Sequence, residues 1–209
     1  DLAVEAVILG TPIAYRLGAP GRHIVMNSLA VLAAVCLAGA DLADAALALG
    51  RLKAAVGRGA RIPLGVAGGE ALLIDESYNA NPASMAAAIA LLGQAEVGPQ
   101  GRRIAVIGDM LELGDLGPGL HAELSQAIAA NHIDLVYCAG PLSHALWQAL
   151  PPNRRGGYAE TAAALEPAVL GAIRAGDAVM VKASNGSKMG PLVKALERAF
   201  PRRGALAQA

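Results

Sequence analysis

The residues best equipped for chemistry crowd into one stretch, 72–85, which reads LLIDESYNANPASM. An apolar run leads straight into two acids, Asp75 and Glu76, and then into the hydroxyls and amides of Ser77, Tyr78, Asn79 and Asn81. Pro82 follows, where the first turn of a helix tolerates a missing N–H, with Asn81 placed to be its N-cap. Two carboxylates and a set of polar donors thus converge on one helix N-terminus, a constellation suited to holding a polar ligand. The same residue types also serve the backbone, and Asp75 and Asn81 could do no more than cap N–H groups. Both roles are open at the level of residue type.

Two further loops carry reactive side chains. The run 182–188, KASNGSK, precedes a helix and could cradle an anion with backbone N–H groups and a lysine, or could be an ordinary glycine turn with solvated lysines. In GDMLELGD, Asp109, Glu112 and Asp115 could hold a magnesium ion or orient a substrate amine, although acids in such a loop more often cap helices. The histidines His23, His121, His132 and His144 lack metal-ligand spacing, so no structural metal is expected. Neither GxGxxG nor GxxxxGK[ST] occurs, which excludes a self-contained dinucleotide or Walker site of the usual kind.

The elements that must position these loops follow from hydrophobic pattern. Short apolar runs at 71–74, 104–107, 135–138 and 178–181, with a weak one near Tyr158, read as buried strands. Helical patterns at 84–94, 120–131, 144–150, 162–174 and 190–200 lie between and after them. Such alternation predicts an α/β fold with a Rossmann-like, doubly wound, mostly parallel sheet. In that architecture ligands bind outside the carboxyl ends of the strands, and Asp75, Glu76, the Gly108-Asp109-Met110 loop, the Ala139-Gly140-Pro141 loop and the 182–188 loop should share one rim. Trp147 and Phe200 sit at apolar helical positions and read as core.

Before that domain, a strand-like VEAVILG, a turn at 18–21 and helices at 26–38 and 42–49 look too few to build a core of their own, and read as the tail of a preceding domain. Gly57-Arg58-Gly59 with Pro63 marks the boundary and suits a hinge, and Gly68-Gly69 suits a hairpin turn. The expected division is 1–57, 58–201, and a frayed tail at 202–209. The chain opens at Asp1 with neither a methionine nor a signal peptide, and reads as a piece cut from a longer protein.

Composition narrows the setting. Formal net charge is zero over 209 residues, and no basic stripe is interleaved with aromatics, which leaves a nucleic-acid surface unsupported. Aromatics make up 3% and hydrophobic residues 55% of the chain, so the core must be built from Ala, Leu, Val and Ile. The most apolar stretch, 28–49, is broken by Gly39, Asp41 and Asp44 and falls short of the roughly 20 residues of a bilayer span. Cys36 and Cys138, far apart in apolar surroundings, read as reduced thiols of a cytoplasmic protein, expected to be monomeric.

Taken together, LIDESYNANPASMAAAIALL, VIGDMLELG and GDAVMVKASNGSKM resemble the C-terminal domain of the Mur ligases, and GRHIVMNSLAVLAA resembles the end of that family's central ATPase domain. The wording is that of the branch adding D-alanyl-D-alanine to UDP-N-acetylmuramoyl-tripeptide. This resemblance implies an ATP- and Mg²⁺-dependent ligase in which the tripeptide carboxylate is phosphorylated and the dipeptide amine attacks the acyl phosphate. It further implies that His23 and Asn27 serve the nucleotide, that Arg58 lies near nucleotide or phosphate, and that one of Asp75 and Glu76 reaches the ribose hydroxyls. Tyr78, Asn79 and Asn81, with Glu112 more weakly, would meet the dipeptide, while Lys182 and Ser184 would sit near the reaction centre; His121 also matches a family position. Ile24 replaces an asparagine common in the family, and Glu76 a second aspartate. The Walker loop, a carbamylated lysine and the UDP-sugar domain would lie upstream of Asp1, so the chain alone is expected to be inactive. A folylpolyglutamate synthase shares the architecture but lacks the SYNANP and GDMLELG wording. A stand-alone module binding a nucleotide or peptide is the rival of another class, and the coding sequence before Asp1 distinguishes it.

Overall fold

The computed structural model describes residues 2–18, 21–52 and 57–202. The chain forms two compact units, Asp1–Ala55 and Val56–Ala209. Residues 19 and 20 of the expected turn at 18–21, and 203–209 of the expected tail, lie outside the described residues.

In the first unit, strands β1 (Leu2–Ile8) and β2 (Thr11–Leu17) form an antiparallel hairpin. Its two-residue turn, Leu9-Gly10, has positive φ at both positions, which matches the twist of a tight hairpin. Helices α1 (Arg22–Leu37) and α2 (Leu42–Gly50) follow. Asp41 caps α2 by accepting the N–H groups of Ala43 and Asp44. Contrary to the expectation of too few elements for a core, Val4, Ile8, Tyr15, Leu17, Leu32 and Ala46 bury one together. The physical reason is the second strand, absent from the sequence reading: it completes an apolar face on which both helices can pack. The Tyr15 hydroxyl is satisfied inside by Ser28 Oγ at 2.6 Å.

The second unit contains a six-stranded sheet. Its elements in chain order are β3 (Ala60–Val66), β4 (Gly69–Glu76), α3 (Pro82–Gly93), β5 (Arg103–Gly108), α4 (Gly117–Ala130), β6 (Leu135–Ala139), α5 (His144–Ala149), β7 (Arg155–Ala159), α6 (Ala162–Ala172), β8 (Ala178–Lys182) and α7 (Met189–Ala199). The spatial order is β3-β4-β8-β5-β6-β7, and every neighbouring pair is parallel except the β3–β4 hairpin. The hairpin loop is Ala67-Gly68, one residue earlier than the expected Gly68-Gly69.

Period-two alternation divides the strand residues between two cores. Ile74, Ala105, Ile107, Val136, Cys138 and Met180 pack with α3, α4 and α5, whereas Leu73, Ile104, Val106, Tyr137, Val179 and Val181 pack with α6 and α7. Helices on both faces make the sheet doubly wound. The chain runs outward from β4 to β7 along one face and returns beneath the other to insert β8 between β4 and β5, so the strand order reverses beside β8. At the amino ends of the strands, Asp177 accepts N–H groups from Arg102 and Arg174 and a 2.7 Å ion pair from the Arg102 guanidinium.

Candidate functional site

The carboxyl ends of β4, β8, β5 and β6 form one rim, and the loops leaving them are bound to each other. Ser184, just past β8, donates its backbone N–H to the Asp109 carbonyl just past β5 at 2.9 Å. Its hydroxyl accepts the Leu111 N–H at 3.0 Å, and the Ser187 hydroxyl donates to the Asp109 carbonyl at 3.1 Å. Asp109 is itself buried and accepts the Ser143 N–H at 2.8 Å, joining the β6 loop to the set. Gly140 has φ +115°, and a Cβ there would fall 2.5 Å from the Asp109 carboxylate, so only glycine allows this approach.

Around β4 the sequence-predicted residues divide by role. Asp75 is 2% exposed, and both its oxygens are engaged by backbone: Oδ2 accepts the Gly57 N–H at 2.9 Å and Oδ1 the Ser77 N–H at 3.1 Å. Glu76 is buried beside Lys182, with Oε2 3.6 Å from Nζ. Lys182 is 3% exposed and donates to the Asn79 carbonyl at 2.8 Å. Burial pushes the Lys182 ammonium below the usual lysine range, Glu76 partly offsets this, and the Arg58 charge adds to the lowering. Arg58 is exposed, and its guanidinium lies 4.5 Å over the ring of Tyr78, which is half exposed.

Asn81 builds a capping box with Ser84: its Oδ1 accepts the Ser84 N–H at 2.8 Å, and Ser84 Oγ accepts the Asn81 N–H at 3.0 Å. Its side chain therefore fixes the start of α3. The exposed Asn79 turns its Oδ1 to the Ala80 N–H at 2.9 Å. Glu112 and Asp115 point outward from an exposed loop, Glu112 with φ +66°. Among the described residues no three His, Cys, Asp or Glu side chains come together as a cation cage; Asp109 is buried and held by the Ser143 N–H, apart from the exposed Glu112 and Asp115. His121 is fully buried, accepts the Met110 N–H at Nε2 and donates from Nδ1 to the Gly117 carbonyl, a tautomer that knits the β5–α4 loop. In the first unit, His23 and the exposed Asn27 are one helical turn apart on α1. The segment 57–59 is bound to β4: Gly59 donates to the Asp75 carbonyl at 2.7 Å, and the Gly57 carbonyl accepts the Tyr78 N–H at 3.1 Å.

The structure also shows a cleft of about 490 Å³ that the sequence did not reveal. It opens above β5 and β6 and is lined by Asp109, Pro141, Glu160, Thr161, Glu166 and Lys188, among others. These residues come from four loops and from helix α6, and carry no shared motif. The advance sign was that Asp109, Gly140-Pro141 and Lys188 belonged to loops assigned to the rim.

A doubly wound sheet, a polar rim built from the DESYNAN and KASNGSK loops, and a pocket at the carboxyl edge define a ligand-binding α/β domain, and comparison places it. Residues 64–185 match the family described as Mur ligase, glutamate ligase domain, and the chain belongs to that family. Within it, the chain is similar to the UDP-N-acetylmuramoyl-tripeptide–D-alanyl-D-alanine ligase of Bacillus subtilis, with 36% identity over 180 residues, covering 84% of this chain and 38% of that protein. The enzyme of the same name from Escherichia coli is also 36% identical, over 179 residues, covering 85% of this chain and 38% of that protein. A crystal structure of MurF from Acinetobacter baumannii superposes with a TM-score of 0.76 at 25% identity, over 94% of this chain and 45% of that one. The chain thus spans well under half the length of the relatives it matches. Among the described residues no helix is long and apolar enough to cross a membrane.

Proposed function

We propose that this chain is the C-terminal part of a ligase that joins D-alanyl-D-alanine to UDP-N-acetylmuramoyl-tripeptide in peptidoglycan precursor synthesis. The observation that carries the reading is the convergence of the SYNANP, GDMLELG and KASNGSK loops on one hydrogen-bonded rim. ATP supplies the phosphoryl group that makes the tripeptide carboxylate an acyl phosphate; the dipeptide amine then adds to that carbon, loses its proton, and phosphate departs. Little covalent work is left to the protein, which must place the amine and screen the phosphoryl charge.

In this chain Arg58 and Lys182 are the cations available at the β4–β8 end of the rim. For the nucleotide, Arg58 and Glu76 fit in the second unit, and His23 and Asn27, on α1 of the first, keep the nucleotide role that the family resemblance implies. Asp75 fits less well, since both its oxygens already hold backbone N–H groups. Among the described residues no three His, Cys, Asp or Glu side chains come together to hold Mg²⁺. The cleft beside Lys188 suits the dipeptide: the lysine can face a carboxylate, and Glu160 and Glu166 an ammonium. Tyr78 and Asn79 then form the outer rim, Ser184 aligns the two central loops, Asn81 acts by fixing α3, and Glu112 remains at the periphery. A cytoplasmic monomer fits this role.

Amide chemical-shift titration with D-alanyl-D-alanine tests the reading, with L-alanyl-L-alanine as control. Saturable shifts at Thr161, Glu166 and Lys188 for the D,D isomer alone are expected. Equal response to both isomers, together with an unchanged dipeptide KM for Lys188→Ala in the intact ligase, overturns the assignment of the cleft. The chain by itself is expected to release no phosphate from ATP in the presence of the dipeptide, because no GxxxxGK[ST] loop is present in it.

A further inference from the structure

The buried carboxylate of Asp75 is taken up by backbone. Its two oxygens hold the backbone on either side of one functional pair, Gly57 N–H next to Arg58 and Ser77 N–H next to Tyr78. Two more hydrogen bonds close the arrangement, Gly59 N–H to the Asp75 carbonyl and Tyr78 N–H to the Gly57 carbonyl. The segment 57–59 reaches this position only because Gly57 and Gly59 adopt φ of +74° and +85°, and a Cβ on Gly57 would meet Tyr78 Cβ at 2.8 Å. Arg58 leaves this turn with its guanidinium over the Tyr78 ring. An exposed cation–π contact alone biases a side chain by only about two- to fivefold, so a loose backbone would leave Arg58 largely unplaced.

We infer that Asp75 is a positioning residue: it locks the 57–59 turn onto β4 and so presets Arg58 over Tyr78 as a cation at the rim. Arg58 then belongs to the rim as firmly as Glu76 and Lys182, and the entropy of ordering it is spent on folding rather than on binding. The inference rests on the proposed nucleotide role of Arg58, and its test separates the two.

In this chain, the Arg58 side-chain protons should resonate upfield because of the Tyr78 ring. Asp75→Asn offers one acceptor and one donor where two N–H groups point inward, and should abolish that shift and move the Gly57 amide while the rest of the spectrum stays dispersed. A folded Asp75→Asn with unchanged Arg58 and Gly57 signals overturns the positioning. If Asp75→Asn does not fold, Gly57→Ala, which displaces the same turn and leaves Asp75 intact, should give the same loss, and retention of the shift there overturns it equally. In the intact ligase, Arg58→Ala should raise the KM for ATP by about tenfold, Asp75→Asn by about fivefold, and the double variant no further than Arg58→Ala. Multiplying effects would mean that Asp75 acts independently of Arg58 and would overturn the inference. Wild-type kinetics for Arg58→Ala would remove the nucleotide role of Arg58, while Asp75-dependent ring shifts would still uphold the positioning.

Discussion

Replacing Glu76 with Gln should destabilise the second unit by an amount that shrinks as pH rises. Lys182 is 3% exposed, and among the described residues its close anion is Glu76, at 3.6 Å. At an effective dielectric of about 20 that separation is worth about 4.6 kcal/mol of gross attraction, and removing one partner of a buried pair typically costs about 3–5 kcal/mol. The substituted protein can escape part of this by folding with Lys182 neutral. Relative to an unfolded lysine at 10.5, that escape costs about 1.4 kcal/mol per pH unit, hence about 4.8 kcal/mol at pH 7 and about 1.4 kcal/mol at pH 9.5. The folded-state value is lowered, so the unfolded chain binds more protons between the two values and stability climbs with pH across that window, more steeply without Glu76. We therefore expect Glu76→Gln to lose about 3 kcal/mol at pH 7 but less than about 1.4 kcal/mol at pH 9.5, measured by urea unfolding with a constant m-value. Adding Lys182→Met should recover most of the loss at pH 7, because the unpaired charge is gone. A penalty independent of pH, or a double variant no more stable than Glu76→Gln, would refute the reasoning.

At the opposite end of the sheet, Asp177→Ala leaves two N–H groups without their acceptor and takes the ion-pair partner from Arg102, which keeps the Ala172 carbonyl, and should cost about 3 kcal/mol in the same unfolding assay. Gly140→Ala should cost at least about 2 kcal/mol and shift the Ser143 amide resonance, since its Cβ collides with the Asp109 carboxylate that holds that N–H. His121→Ala removes an acceptor and a donor from fully buried partners; a loss of about 3 kcal/mol by thermal or urea unfolding is expected. Burial and the nearby Asp109 push the Cys138 thiol up to about 12, so iodoacetamide at pH 8 should label the partly buried Cys36 in the folded protein and reach Cys138 only on unfolding.

The parallel strands β4, β5, β6 and β8 were legible because each is a short apolar run ending in a polar loop, β7 (RGGYA) showed only weakly, and the match of β4 to its acids located the rim. Two strands were not. TPIAYRL and ARIPLGV each contain a proline, which argues against a central strand, and both turn out to be strands with an open side, where a missing N–H is tolerated. Without β2 the first unit lacked a visible core. At the site, residue types marked the right place but not the duty of each side chain. Asp75, Asn81 and Lys182 hold backbone while Arg58 presents its charge outward, and that difference lies in which backbone groups the fold brings within 3 Å. The cleft was illegible because Pro141, Thr161 and Lys188 are adjacent only after β6, β7 and β8 are in register.

The position of β8 also governs when this domain can form. Its central place means that Leu72 pairs with Ala178 and Arg103 with the same residue, across 106 and 75 positions of chain. During synthesis β4 and β5 leave the ribosome long before the strand that separates them, and until it arrives each exposes an unpaired edge where the finished sheet has none. The segment between them must therefore remain open while about a hundred residues are added, and premature β4–β5 pairing is the misfolded state to be avoided. A transcript truncated before residue 178 would yield chains fit for proteolysis or aggregation rather than a smaller functional domain. Completion of this sheet therefore waits on β8, the last of its strands to be synthesised.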